Sequence, residues 1–188
     1  MSSAVIEADR GSRPAEKPDV LFEIVNGQRQ EVPPMGMFAG LVASALQVFL
    51  WNFATPRKLG RPAVEVLFRL GPNGPSRRPD VAFVATDRLG TQFESPDDPQ
   101  HWETVPNLAV EIISPTNTFK EIEDKLDDYF RAGVQLAWVI SPARRRIYVY
   151  ESPTQVRVLS ENDELSGDPA VPGFKLPVRE LFAVLAAP

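Results

Sequence analysis

The pattern of apolar and polar residues along the chain predicts strands and helices in mixed order. Residues 20–32 predict a β-hairpin, in which Asn26-Gly27 forms a type I′ turn because both central positions of that turn need a positive φ. Further strands are predicted at 63–70, 79–85, 107–113, 135–141, 145–151 and 155–160. This order predicts an α/β to α+β fold, with a mixed β-sheet flanked by helices.

The clearest helix is predicted over 118–132. Thr118 and Glu121 have the spacing of a capping box, and Gly133 provides the stop. Its apolar stripe is formed by Phe119, Ile122, Leu126, Tyr129 and Phe130. A second, short amphipathic helix is predicted over 177–185.

The segment 37–54 contains no charged residue and is about long enough to cross a bilayer. A buried helix packed on a sheet explains the same composition, and the rest of the chain has the character of a soluble protein. We therefore expect a core helix and no membrane partner. Residues 1–18 are polar and lack periodicity, which predicts a disordered tail before a single domain over 19–188.

Composition limits the chemistry that is open to this chain. Hydrophobic residues make up 43% and charged residues 24% of its 188 residues, and the formal charge is −5, which disfavours a protein that coats nucleic acid. The absence of cysteine and the single histidine, His101, exclude thiol chemistry and weaken every His-based site. Carboxylates, lysine and hydroxyls remain, and a cytoplasmic location is expected.

Two acidic residues occupy unusual positions in predicted strands. Glu111 interrupts an apolar run, where alternation places it on one face with Ala109 and Ile113. A carboxylate buried there must be paired, neutralised or bound to a cation, whereas one at a strand edge would reach solvent or an arginine. Asp80 begins its strand and could simply serve a turn. If the two strands are neighbours, both carboxylates would form an oxygen site suited to Mg²⁺ or Mn²⁺.

Lys125 lies at the border of the apolar stripe of the 118–132 helix. It could pair with Glu121 on the helix surface, an interaction that contributes little to stability. Alternatively, its stem packs inward and its ammonium emerges near the two carboxylates, where it could orient water and stabilise charge at a phosphate.

Four segments in order carry a resemblance to a known family: Arg78-Pro-Asp80-Val-Ala-Phe-Val, Leu108-Ala-Val-Glu111-Ile-Ile-Ser-Pro-Thr, Lys125-Leu-Asp-Asp-Tyr-Phe-Arg-Ala-Gly-Val and Trp138-Val-Ile-Ser-Pro. The chain resembles the bacterial Uma-two family over about residues 19–184. That family belongs to the PD-(D/E)XK nuclease superfamily and has a restriction-endonuclease-like core.

The resemblance implies a Mg²⁺- or Mn²⁺-dependent endonuclease that hydrolyses DNA, in which Asp80 and Glu111 bind the metal and Lys125 completes the catalytic set. Glu23 in the opening hairpin matches a family glutamate and is a possible accessory residue. Ile113 stands where the superfamily usually has its lysine. A homodimer is expected, because two sites could address both strands of a duplex. The alternatives are a catalytically inactive nuclease-fold binding protein and a domain whose buried carboxylate is merely ion-paired.

Overall fold

The computed structural model describes residues 20–90, 101–114 and 117–186. The predicted tail over 1–18 lies outside these residues. The elements of the first half are β1 (Phe22–Val25), β2 (Gln28–Glu31), α1 (Met37–Ala54), β3 (Gly60–Val64), β4 (Phe68–Arg69), β5 (Ser76–Arg77) and β6 (Val81–Ala85). The second half contains β7 (Leu108–Ile112), α2 (Phe119–Ala132), β8 (Leu136–Ser141), β9 (Arg146–Ser152), β10 (Gln155–Leu159), β11 (Glu164–Ser166), β12 (Lys175–Pro177) and α3 (Val178–Phe182).

Six strands form the central sheet in the order β10-β9-β8-β7-β6-β3. The neighbours β7 and β8 run parallel and α2 connects them, while every other pair in this sheet is antiparallel. A second sheet has the order β2-β1-β5-β4 and contains the opening hairpin. The mixed sheet flanked by helices confirms the predicted fold class.

The opening hairpin turns at Asn26 and Gly27, whose φ angles are 51° and 73°. Both values are positive, as the predicted type I′ turn requires. The register pairs Val25 with Gln28 and Phe22 with Glu31. On its other side β1 pairs with β5, so the hairpin extends a sheet that reaches the site described below.

The two faces of the central sheet are covered by different helices. On one face, Leu108, Val110 and Ile112 of β7 lie in the large apolar core that contains the buried residues of α1. On the other face, Ala109 contacts a cluster that includes Tyr129 of α2. Alternation along β7 therefore places Glu111 on the face covered by α2.

The first helix, α1, has the predicted bounds and buries one side against the sheet. Its buried residues are Ala39, Val42, Ala43, Leu46, Leu50 and Ala54. Of the helices within residues 20–90, 101–114 and 117–186, α1 alone is long and apolar enough to cross a membrane, and 33% of that span is buried in the fold. Its contacts with the sheet are those of a core helix.

The second helix, α2, starts and stops as predicted. The Thr118 side chain accepts a hydrogen bond from the Glu121 backbone N–H, and the Glu121 carboxylate accepts one from the Thr118 N–H. Gly133 adopts the left-handed conformation at the end. Phe119, expected in the apolar stripe, is instead 73% exposed because it lies in the first turn, ahead of the sheet contact.

The predicted strand 63–70 is wrong as a continuous element. Glu65 has a φ of 51°, which interrupts the extended backbone between β3 and β4. The two halves then join different sheets. The short strands β5, β11 and β12 were not predicted, because two or three residues are too few to show a period.

Candidate active site

Strand register brings Asp80 beside Glu111. Val81 of β6 pairs with Val110 of β7 in the antiparallel ladder, so the next positions outward are Asp80 and Glu111. The Asp80 side chain is held there by the backbone N–H of Ile112, which donates to Oδ2 at 2.6 Å. Asp80 therefore does more than form a turn, because its carboxylate accepts a hydrogen bond from the neighbouring strand.

Glu111 is 5% exposed and both of its carboxylate oxygens have partners. Oε1 accepts a hydrogen bond from the Tyr129 hydroxyl at 2.5 Å, and Oε2 lies 2.8 Å from Lys125 Nζ. The expectation of a strand-edge glutamate that reaches solvent is thus wrong. The buried carboxylate is held by two residues of α2.

Lys125 bridges two carboxylates from different parts of the chain. Besides Glu111, its ammonium lies 3.3 Å from Oε1 of Glu23 in β1. The alternative of a surface pair with Glu121 is wrong, because the Glu121 carboxylate caps the helix and the lysine side chain is only 16% exposed. Lys125 therefore joins the opening hairpin to the central sheet.

Both carboxylate oxygens of Glu23 also have partners, as those of Glu111 do. Its Oε2 lies 2.8 Å from the Arg77 guanidinium, and its Oε1 accepts the Arg78 backbone N–H at 3.0 Å. The pairing of β1 with β5 sets this geometry, because Ile24 lies opposite Ser76.

Arg77 connects Glu23 of β1 to Asp128 of α2. Its guanidinium contacts Oδ2 of Asp128 through both Nε and Nη2, at 2.8 and 2.6 Å. Arg77 is 6% exposed and both of its ion-pair partners are carboxylates, so its guanidinium belongs to this buried network.

Burial and like charge govern the pKa values at this site. Burial, reinforced by the charge of Glu111, raises the pKa of Asp80 to about 7. Burial likewise raises the pKa of Glu111, against the opposing effect of Lys125. Burial also acts to raise the pKa of Glu23, but Lys125, the Arg78 N–H and Arg77 together lower it. Glu23 and Glu111 are compensated by an ion pair with Lys125, whereas Asp80 is held by a backbone N–H.

A cleft of about 460 Å³ opens onto these residues. Glu23, Asp80, Glu111 and Lys125, which we call the carboxylate–lysine site, all line it. Within residues 20–90, 101–114 and 117–186 there is no group of three or more acidic or histidine side chains arranged as a ready metal cage.

The donor chemistry nevertheless suits a hard divalent cation. The ion pairs at this centre do not include Asp80. Lys125 pairs with Glu23 and Glu111, Arg77 with Glu23 and Asp128, and Arg131 with Asp128. When ionised, Asp80 therefore adds a negative charge that no ion pair within the described residues offsets. Magnesium characteristically uses one or two carboxylates and keeps several waters, so it does not require a cage of three. Asp80 and Glu111 supply two such donors.

Comparisons with known proteins identify the family of this chain. The model of the family described as "Uma2: Putative restriction endonuclease" matches residues 10–179. The chain belongs to the Uma2 family. The resemblance noted in the sequence is thereby confirmed, and the Uma2 match includes all four residues of the carboxylate–lysine site.

A solved structure shares the fold. It is described as "a putative nuclease belonging to DUF820" from Anabaena variabilis, is 17% identical, and matches with a TM-score of 0.77 over 88% of this chain and 91% of that one. A chain of a DrdV–DNA complex, also 17% identical, aligns with 74% of this chain and 11% of its own at a TM-score of 0.40, which does not establish a common fold. No curated protein matches this chain significantly.

The structure thus brings together all four residues singled out in the Uma2 sequence, and adds three that sequence reasoning missed. Arg77 was not singled out, Tyr129 was placed in the apolar stripe of α2, and Asp128 was not assigned to a site. For the last two there was a signal, since Lys125, Asp128 and Tyr129 lie three and four residues apart and so share one side of α2.

Proposed function

We propose that this Uma2 chain is a metal-dependent endonuclease that hydrolyses DNA phosphodiester bonds. One observation carries the proposal: Asp80, Glu111 and Lys125 line a single cleft although they come from three separate parts of the chain. Family membership and the nuclease fold favour the same reaction class.

Asp80 and Glu111 would hold Mg²⁺ or Mn²⁺. The carboxylate of Glu111 is buried and that of its neighbour Asp80 is half-buried, and the charge of Glu111 raises the pKa of Asp80; a divalent cation would relieve this repulsion. When bound, such a cation polarises a phosphate and lowers the pKa of a water molecule.

Lys125 is the residue that would position the attacking water and neutralise charge on the phosphate. Its ammonium lies in the cleft and is held by Glu111 and Glu23, so its place is set before substrate arrives. Because burial opposes its charge but Glu111 and Glu23 outweigh that effect, the pKa of Lys125 is raised and it stays protonated. Glu23 is the accessory residue that fixes the second side of this ammonium.

The proposal extends to DNA as the substrate, a homodimer and a cytoplasmic location in a bacterium. Arg78, which donates to backbone carbonyls, and Lys120, which pairs with Asp124, line the cleft with the carboxylates and are the cationic side chains that would attract a phosphate to its entrance. A homodimer would present one cleft to each strand. Light scattering should then give about twice the 20.9 kDa chain mass.

The test is cleavage of plasmid and single-stranded DNA with Mg²⁺ or Mn²⁺. Glu111→Ala and Lys125→Ala should each lower the rate by about 100-fold or more, because they remove a metal ligand and the water-positioning cation. The matched controls are Glu164→Ala and Lys175→Ala, which break an exposed ion pair in the β11–β12 hairpin and should leave the rate unchanged.

Equal cleavage by wild type and all four variants would contradict the proposal. The second candidate is a nuclease-fold protein that binds nucleic acid without cutting it. It is favoured by the full occupation of Glu111, whose two oxygens already have protein partners. Binding of DNA by wild type with no cleavage in either metal would support this candidate instead.

A further inference from the structure

The carboxylate of Glu111 is clamped by α2 through two residues one helical turn apart. Lys125 and Tyr129 are separated by four positions, so both side chains leave α2 on the same side. Lys125 takes one oxygen and Tyr129 the other. Rotation of this carboxylate would break at least one of these two contacts.

The two arms of this clamp differ in how they are held. Lys125 lines the cleft, and its ammonium is held by ion pairs with both Glu111 and Glu23. Tyr129 is 0% exposed, and its ring packs in the cluster formed with Phe68, Ala82 and Ala109. The position of its hydroxyl is therefore fixed by the core.

Small side chains on the sheet leave room for the Tyr129 ring. Ala82, Ala109 and Ala137 lie directly opposite one another on β6, β7 and β8. Three small side chains in a row allow α2 to approach the strand that carries Glu111. Larger side chains at these places would push Tyr129 away from the carboxylate.

We propose that Tyr129 is a positioning residue, whose hydroxyl fixes the orientation of the Glu111 carboxylate toward a divalent cation shared with Asp80. This inference rests on the proposed function and adds a residue to it. Groups that orient metal ligands typically change metal affinity by 10- to 100-fold when they are removed. A tyrosine with a purely structural role would affect folding and leave cation affinity unchanged.

The test is calorimetric titration of Mn²⁺ into the full chain without DNA. Tyr129→Phe keeps the ring and removes the hydroxyl, and we expect about 10-fold weaker binding with cooperative unfolding retained. Tyr148→Phe is the matched control, since this half-buried tyrosine of β9 packs near α2 and should bind Mn²⁺ like wild type.

A second measurement uses the wild-type protein and so does not depend on the variant folding. The chain has three tyrosines, and ¹³Cζ labelling gives each its own NMR signal, which Tyr148→Phe and Tyr150→Phe would assign. Saturating Mg²⁺ should shift the Tyr129 signal and leave the other two in place.

The outcomes separate this inference from the function on which it rests. Cation binding by wild type, with equal affinity in Tyr129→Phe or with an unmoved Tyr129 signal, would overturn the positioning role alone. No cation binding by wild type would overturn both the metal site and the role of Tyr129.

Discussion

The two faces of the central sheet bury different kinds of side chain. The face under α1 is filled by large apolar side chains such as Phe83, Val110 and Trp138. The face under α2 has alanines at the centre, and beside them Glu111 is buried against Lys125 and Tyr129. The strands β6, β7 and β8 each contribute side chains to both faces.

The comparison separates a face that stabilises the fold from a face that positions charged side chains. An apolar core tolerates substitutions that conserve the side-chain volume. A buried ion network is strongly destabilised when one partner is removed, because the other charge is left buried and unpaired. The α1 face can therefore stabilise the sheet, while the α2 face holds charges in fixed positions at some cost in stability. Four predictions test this difference.

The largest effect on stability is expected from Arg77→Met. The substitution leaves the carboxylates of Glu23 and Asp128 without their shared guanidinium, and breaking a buried pair costs about 3–5 kcal/mol. Urea unfolding measures the loss. Arg131→Met is the matched control, because Arg131 contacts the same Asp128 while 71% exposed, and it should cost less than about 1 kcal/mol. Equal losses would remove the distinction between buried and exposed pairs.

On the face under α1, Leu46→Ala should lower the free energy of unfolding without changing the carboxylate–lysine site. Leu46 is fully buried in α1, and truncation of such a side chain costs about 2–5 kcal/mol. If the proposed nuclease activity is found, DNA cleavage per folded molecule should stay at the wild-type rate at temperatures below the transition. Leu41→Ala, at a half-exposed position of the same helix, should change stability by about 0.5 kcal/mol or less. A specific loss of cleavage in Leu46→Ala would show that the two faces are coupled.

A pH-dependent gain is expected from Asp80→Asn in protein freed of divalent cations. The folded pKa of about 7 lies above the ordinary value of 3.8, so wild type loses stability as pH rises through that interval. The variant avoids this loss and should be more stable by about 2–4 kcal/mol at pH 8, with the difference vanishing near pH 4. Thermal unfolding across pH checks the sign.

The control for this prediction has the opposite sign. The Ser160 backbone N–H and hydroxyl lower the pKa of the exposed Asp163, so Asp163→Asn should destabilise the protein at pH 8. A destabilising effect of Asp80→Asn at that pH would mean that the Asp80 carboxylate is not under the repulsion described.

The smallest effect concerns how the two helices begin. α2 has a complete capping box, whereas α1 starts at Gly36 with no side-chain cap. Thr118→Ala should therefore cost about 1 kcal/mol, measured by chemical denaturation. Thr118→Ser keeps the hydroxyl and should recover most of that loss. If both variants are equally destabilised, the methyl group and not the cap is responsible.

Local sequence determined much of this protein. The Asn26-Gly27 turn, the full length of α1 and the capped α2 follow from turn chemistry, periodicity and capping, which act over a few residues. The strand that carries Glu111 also follows from its apolar run, but that run left open whether the carboxylate is buried or reaches solvent at the strand edge.

The tertiary structure alone decided which charges meet. Arg77 reaches Glu23 across 54 positions and Asp128 across 51, from a two-residue strand that shows no period. Lys125 had an acidic neighbour at helical spacing, and only the packing of α2 on the sheet turned it toward Glu111 and Glu23. Periodicity reports which face of an element is buried, whereas the partner of a buried charge depends on the register between distant strands.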